Sequence, residues 1–532
     1  MNEEEIIISQ DEKQLAGLGY RQDFKRELNL WSTAAFCFSV MGVVASVSGS
    51  MVFPLQYGGH VGMVWGWFTA SAFVMLVALC MAELCSAMPT SGGPYYWSAH
   101  LAPKRYAPVI SWMTGWSNVL GQAALVCSIE FTSAAMITDA ASIGNDFTKF
   151  YSNGVRYGIF LALLVVHACL CSSATRVLSR LNYAYVAINL GTFVALMAAL
   201  GALAKMQPAS QAFGGFQNNS TWKSNGFAWI LSLTSGMWSL TGYDSAAHVA
   251  EETANAATVG PWAILAAVIG TTTIGWGLSV MISFCVANPA QLLDSKLYMP
   301  IAQMYRDVIG KQGCLALWSL IIVIQFNTAA AQMVDASRVV YAFARDGALP
   351  CSRRLSAVNQ YTRTPVNAVL FTAAFAAVIG LLGLQSTAMT ALSSTSIIAL
   401  YVSYSVPIIL RITYARKEFQ RGPWHLGRFG VPIGAVAAAY VIFIVVVLLF
   451  PSNPNPDASD MNWAVLILGV ILVGSAVVYA AYGRKWYRGP VSYTDEDEYI
   501  AEEYAAHEGD MVKAKSGAEE EKPEVTVSDF QS

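Results

Sequence analysis

Long apolar runs alternate with short polar connections along the chain, near 30–56, 62–88, 107–138, 155–172, 181–204, 227–249, 261–287, 312–343, 366–384, 387–411, 431–451 and 461–483. Each reaches about 18 residues or more, enough for a helix to cross a hydrocarbon core of ~30 Å. A transmembrane β-barrel would alternate with period two over about ten residues, so the pattern excludes one. Twelve transmembrane helices are predicted. The first run starts near Leu30 and is too long for the apolar part of a cleavable signal, so it reads as the insertion signal itself.

Two runs are interrupted. In the first, ASVSGS (Ala45–Ser50) separates FCFSVMGVV from MVFPLQY; in the sixth, SLTGYDS (Ser239–Ser245) separates AWILSLTSGMW from the amphipathic AAHVAEE. Backbone that unwinds in lipid leaves amides and carbonyls unpaired unless it lines a cavity. A shift of five helices maps one interruption onto the other, and matched interruptions in two halves point to a transporter of inverted repeats with a midplane site. Two plainer accounts compete: ASVSGS as a small-residue packing face of a continuous helix, and Asp244 as the N-cap of a second half-helix. Against the second, an ionisable residue near midspan marks function by default.

Composition agrees with the pattern: 55% hydrophobic residues, 12% charged residues and a mean hydropathy of +0.46 define an integral membrane protein. Lys104, Arg105, Arg176, Arg180, Arg345, Arg353, Arg354 and Arg363 gather in connections on one side, which predicts that both termini are cytoplasmic. The other side carries Asn218-Asn219-Ser220-Thr221, two overlapping glycosylation sequons with Asn218 and Asn219 as acceptors. The net charge of −3 comes from an acidic C-terminal tail around TDEDEYIAEEY, read as disordered; no nucleic-acid signal is present. The nine cysteines show no metal-ligand spacing, so no cofactor, metal or disulfide is expected.

The stretch TGYDSAAHVAEETANA followed by GPWAI, the segment AELCSAMPTSGGPYYWS and the segment SRVVYAFARDGALP together resemble the amino acid–polyamine–organocation superfamily. Within it they are most similar to the eukaryotic amino acid/choline transporter branch, which includes fungal GABA and choline permeases and plant amino acid permeases. The resemblance runs from about Trp31 to Gly483. It implies a LeuT-type fold: a 5+5 inverted repeat with helices 1 and 6 broken, plus two peripheral helices. The corresponding division is a cytoplasmic tail over 1–29, repeats over 30–204 and 227–411, peripheral helices over 431–483 and the acidic tail over 484–532.

A half-helix starting after Ser48-Gly49-Ser50 would present free N–H groups and the positive end of its dipole to a carboxylate. Carbonyls ending the preceding half-helices suit an ammonium, so a zwitterion fits both. The resemblance implies the same clasp, from Ser46, Ser48, Gly49 and Ser50 on one side and Trp238, Thr241, Gly242 and Tyr243 on the other. Trp238 and Tyr243 would also suit a quaternary ammonium through cation–π contact. Uphill movement needs a coupling ion, expected to be a proton on a buried carboxyl: Asp244 first, then Glu130. Asp335 is a third candidate, but it lies three residues before Arg338 on one helix face, and a structural ion pair is the reading preferred for it. Glu83, His248 and Glu251 are candidates for a gate on the cytoplasmic side, with Lys104, Arg176, Arg180 and Arg345 as partners. LYMPIAQMYRDVIG, Leu297–Gly310, is amphipathic enough for a short external helix.

The expected function is secondary transport of amino acids, GABA-like zwitterions first, by alternating access with proton symport. Choline or polyamines are the alternative substrates. The expected location is the plasma membrane, with a vacuolar or other endomembrane as alternative; lipids and a small amine or amino acid are the expected partners. An intramembrane aspartyl protease built on Asp244 and Asp335 is a remote alternative, a channel lacks a repeated pore motif, and a nutrient sensor on a transporter scaffold is not separable by sequence.

Overall fold

The computed structural model describes residues 11–490 apart from 21, 23, 174, 363, 385–387, 452 and 458–460, and apart from the side chains of 175–181, 388 and 389. Arg363, the first ten residues and the acidic tail beyond 490 lie outside the described residues.

Helices account for the described chain, which contains no β-sheet. In lipid this is the arrangement that pairs backbone groups within each segment. In chain order the principal helices are α1 Leu30–Met41, α2 Val43–Ser50, α3 Val52–Tyr57, α4 Trp67–Ala87, α5 Pro94–Leu101, α6 Ala107–Gly144, α7 Asn153–Ser173, α8 Thr175–Leu203, α9 Asn225–Ser232, α10 Thr234–Leu240, α11 Ser245–His248, α12 Ala256–Cys285, α13 Pro300–Ile309, α14 Lys311–Arg345, α15 Val366–Ile379, α16 Ala388–Ile412, α17 Gly430–Leu448 and α18 Ala464–Ala481. Among the described residues, 11 helical stretches are long and apolar enough to cross a membrane, with Leu30–Tyr57 taken as one. The predicted span 227–249 is not among them, because α9, α10 and α11 divide it.

α6, the longest helix at 38 residues, is the axis of the bundle, with α14 and α16 packed along it. Small residues let them approach: a Cβ at Gly121 would meet the Leu400 side chain at 2.6 Å, and one at Gly115 would meet Phe343 at 2.2 Å. Across the bundle α12 lies on α4 and α1, and α2 lies on α10. The first and sixth predicted spans are thereby brought face to face.

Both ends of this central pair are covered. At one end the segment before α1 folds beneath residues 250–254: the amides of Glu27 and Leu28 donate to the Glu252 carbonyl at 3.0 Å, and Ala254 donates back to the Leu28 carbonyl at 2.8 Å. Leu15, Tyr20, Phe24 and Leu28 are buried there. We call this the tail end. At the opposite end α13 forms where an amphipathic helix was expected, burying Ile301, Ala302, Met304 and Tyr305. Asp139 of α6 fastens the approach to it, its carboxylate accepting the amides of Tyr298 and Met299 at 3.0 and 2.8 Å.

Candidate functional site between two interrupted helices

The first interruption lies at Gly42, before the expected ASVSGS. Gly42 takes a left-handed conformation, φ 48 and ψ 53, and the helix resumes at Val43 to run unbroken through Ser50. Only glycine fits this position: a Cβ would stand 1.9 Å from Thr328 Oγ1 of α14. The serines do not unwind the backbone because their hydroxyls bond back to it, a habit that hydroxyl side chains show inside helices. Ser48 donates to the Val44 carbonyl at 2.8 Å, Ser50 to Ser46 at 2.7 Å, and Ser46 to Met41 at 2.6 Å across the break. ASVSGS is thus the small-residue packing face weighed above. Its Ser50 hydroxyl lies 2.7 Å from that of Ser235 and 3.2 Å from that of Ser239, both on α10.

The second interruption falls where the sequence placed it. α10 stops at Leu240, Thr241 is extended with φ −72 and ψ 147, Gly242 has φ 104, and a helix restarts at Ser245. A Cβ at Gly242 would meet Val40 of α1 at 2.5 Å and Gln332 of α14 at 3.6 Å. The two breaks and the middle of α14 therefore converge.

The expected site residues separate into groups. Trp238 lies over Gly49: a Cβ on Gly49 would meet Thr132 Cγ2 at 2.9 Å and the Trp238 ring at 4.0 Å. The Trp238 indole N–H donates to Ser128 Oγ at 3.1 Å. The Ser48 hydroxyl lies 3.4 Å from that of Tyr305 on α13. Tyr243 packs its ring 5.6 Å from that of Tyr404 on α16. Thr241 donates to the Met237 carbonyl at 2.6 Å.

Asp244 is fully buried and makes no cap bond with its side chain, so the plain N-cap account does not describe it. Its Oδ2 accepts from Gln122 of α6 at 3.2 Å and lies 3.1 Å from His248 Nε2. Gln332 in turn donates to the Gln122 carbonyl oxygen. The Asp335–Arg338 pair read from the sequence does not form: Arg338 reaches Glu252 at 2.6 Å, and both Asp335 oxygens are buried without a hydrogen-bond partner among the described residues. Glu130 lies elsewhere, 2.6 Å from His167 Nδ1 of α7 with both side chains fully buried. His167 escaped the sequence reading, although a histidine inside the apolar run LLVVHACL was a signal available for it. Gln122 and Gln332 were missed because single amides in helices carry no spacing that marks them.

Of the gate candidates, Glu251 is held by Arg345 through two bonds of 3.0 Å, and its Oε1 accepts the Ser91 amide at 3.1 Å. Burial would push the Glu251 carboxyl up; Arg345 and Ser91 reverse this and hold it below the usual carboxylate range. His248 joins the same turn, its Nδ1 3.0 Å from the Ser91 carbonyl oxygen. Glu83 is separate, 3.5 Å from Arg411 and accepting the Leu426 amide at 3.1 Å. The Arg176 and Arg180 side chains lie outside the described residues. The sequon residues serve the loop: Asn219 donates its amide to the Leu55 carbonyl at 2.9 Å and Asn218 to the Trp222 carbonyl at 2.8 Å.

A multi-pass helical bundle with polar groups gathered at two apposed breaks is the architecture of a membrane transporter. Comparison with known proteins agrees. The amino acid permease family model matches residues 28–473. An "uncharacterized amino-acid permease" of Schizosaccharomyces pombe is 35% identical over 490 residues, covering 90% of this chain and 85% of the relative. The "amino-acid permease BAT1 homolog" of Oryza sativa subsp. japonica is 35% identical over 500 residues, covering 90% and 95%. "Amino-acid permease 2" of Neurospora crassa is 31% identical over 487 residues, covering 91% and 90%. The chain belongs to the amino acid permease family, and so to the amino acid–polyamine–organocation superfamily. It is a transporter and not an enzyme, which removes the protease alternative.

Proposed function

We propose that this permease carries small zwitterionic amino acids, GABA-like ones first, by alternating access between two inverted five-helix repeats, with a proton as the coupling ion. The observation that carries the reading is the convergence of Gly42, Gly242 and the middle of α14, each glycine meeting a neighbouring side chain where its own would stand. A half-helix beginning at Val43 leaves its first N–H groups without intrahelical partners, facing a carboxylate with the positive end of the dipole. The carboxylate contact thus moves to Val43–Ala45, while Ser46, Ser48, Gly49 and Ser50 shape the wall opposite Trp238. Thr241 and Gly242 supply the carbonyl side for the ammonium. Asp244 lies at the second break, and Glu130, engaged by His167, is a further fully buried carboxyl.

In this reading the tail end is cytoplasmic and α13 faces outward, in the plasma membrane. Uptake into proteoliposomes of a labelled panel of amino acids, GABA, choline and polyamines, with and without an imposed pH gradient, tests it. Saturable accumulation of zwitterions that collapses with the gradient is expected. Accumulation that ignores the gradient would end the proton reading, and uptake confined to choline or polyamines would replace the substrate class.

A further inference from the structure

The proton reading above leaves open which group takes up and gives back the coupled proton, and hydrogen-bond geometry narrows the choice. His248 Nδ1 lies 3.0 Å from the Ser91 carbonyl oxygen. A carbonyl only accepts, so this nitrogen carries a hydrogen. His248 Nε2 lies 3.1 Å from Asp244 Oδ2, and two bare lone pairs do not face each other at that distance, so a proton sits between them. Whether it is drawn on nitrogen or on oxygen, the His248–Asp244 pair is neutral as a unit. Gln122 adds a second donor to the same Oδ2, and Gln332 orients Gln122.

Asp335 stands beside this neutral pair with His248, the Gln122 amide and Arg338 near it but with no ion pair of its own among the described residues. It is fully buried on α14, and both oxygens lack a hydrogen-bond partner among the described residues. The groups facing it are Asp244 and His248 from the break, Cys37 from α1, Tyr404 from α16 and Arg338 from its own helix. Arg338 is committed to Glu252. α15, which also packs on α14, contains no titratable residue between 366 and 379. An ionised carboxylate left dry and unpaired is costly, and taking a proton removes the charge. When the site opens to water the same carboxyl is solvated and releases it.

Resting on the symport reading, we propose that Asp335 is the carboxyl that binds and releases the coupled proton, while the His248–Asp244 pair keeps its own proton as a fixed positioning element. In each cycle Asp335 takes a proton from the water on the side where substrate enters, the O–H bond is kept as the site closes and dries around it, and the proton returns to water when the site opens on the other side. Asp335 on α14 and Asp244 at the break of the sixth span lie on different elements, so the charge state of one acts on the approach of the other.

Infrared difference spectra of the full-length protein in lipid vesicles, between alkaline and acid buffer, test the assignment without relying on transport. Among the protonated-carboxyl bands, which include that of Asp346, one component is expected that Asp335→Asn removes, Asp335→Glu restores at a shifted frequency and Asp244→Asn leaves in place. In proteoliposomes the ratio of gradient-driven accumulation to counterflow exchange, for whichever panel member the wild type carries, should fall on the order of tenfold in Asp335→Asn, the scale of an ordinary coupling free energy. Spectra that lose no carboxyl component in Asp335→Asn, or lose the same component in Asp244→Asn, would overturn the proposal. If the wild type ignores the pH gradient, the symport reading fails by itself, and the band still decides which carboxyl exchanges its proton.

Discussion

Asp346 shows how a single carboxyl at the tail end responds to its surroundings. The hydroxyls of Tyr20 and Tyr95 donate to its Oδ2 at 2.9 and 2.8 Å, and its Oδ1 is buried without a partner. Burial pushes the carboxyl up, to about 6, against the pull of Arg345 and the two tyrosines. Because the folded value lies above the ordinary one, folding favours the protonated form. That contribution is full below about pH 4, the ordinary aspartate value, and is lost as pH rises through about 6. Asp346→Asn keeps an acceptor for both tyrosines and removes the charge. It should therefore stabilise the protein near neutral pH by about 1–3 kcal/mol, with the gain fading towards pH 4, as read by thermal unfolding in detergent across that range. A gain that does not vary with pH would exclude Asp346 as the titrating group.

At the scale of the element, the first break is set by one residue and its neighbour on another helix. Gly42→Ala would force φ 48 on a residue with a side chain and drive its Cβ to 1.9 Å from Thr328 Oγ1. The left-handed backbone alone costs about 1–2 kcal/mol, and the clash adds to it. Adding Thr328→Ala removes the hydroxyl but not the strain, so stability and uptake should recover in part only. Equal unfolding temperatures for Gly42→Ala and wild type would mean that the helix runs straight through position 42. The small-residue stretch ASVSGS was legible as a place where the helix is unusual; its serine back-bonds and its contact with α10 decide that it is a packing face.

For the whole molecule, the decisive feature is that the paired breaks are covered from both ends. α13 and Asp139 close one, while the Glu251–Arg345 and Glu252–Arg338 pairs and the segment before α1 close the other. Breaking a buried ion pair from one side costs about 3–5 kcal/mol, since it strands the remaining charge. Arg345→Ala should accordingly shift the population towards opening at the tail end. Cys37, buried on α1 near Ser245 and Asp335, is a natural reporter once the other cysteines are replaced. Its maleimide labelling should quicken in Arg345→Ala, and an unchanged rate would show that this pair does not hold the end shut.

Length and polarity of the apolar runs determined by themselves that the chain is a helical membrane protein, because backbone in lipid has few ways to pair its hydrogen bonds. The break after Leu240 was equally legible, since glycine, a carboxylate and a histidine interrupt one apolar run. Tertiary structure alone decided the rest. Gly42 is one glycine among 41, and only Thr328 packed against it marks it as the break. Asp335 and Arg338, three residues apart on one helix, looked paired until α14 was placed beside Glu252, which takes the arginine and leaves the aspartate bare. Such choices depend on which charges the fold brings within bonding distance, and spacing along the chain does not encode that.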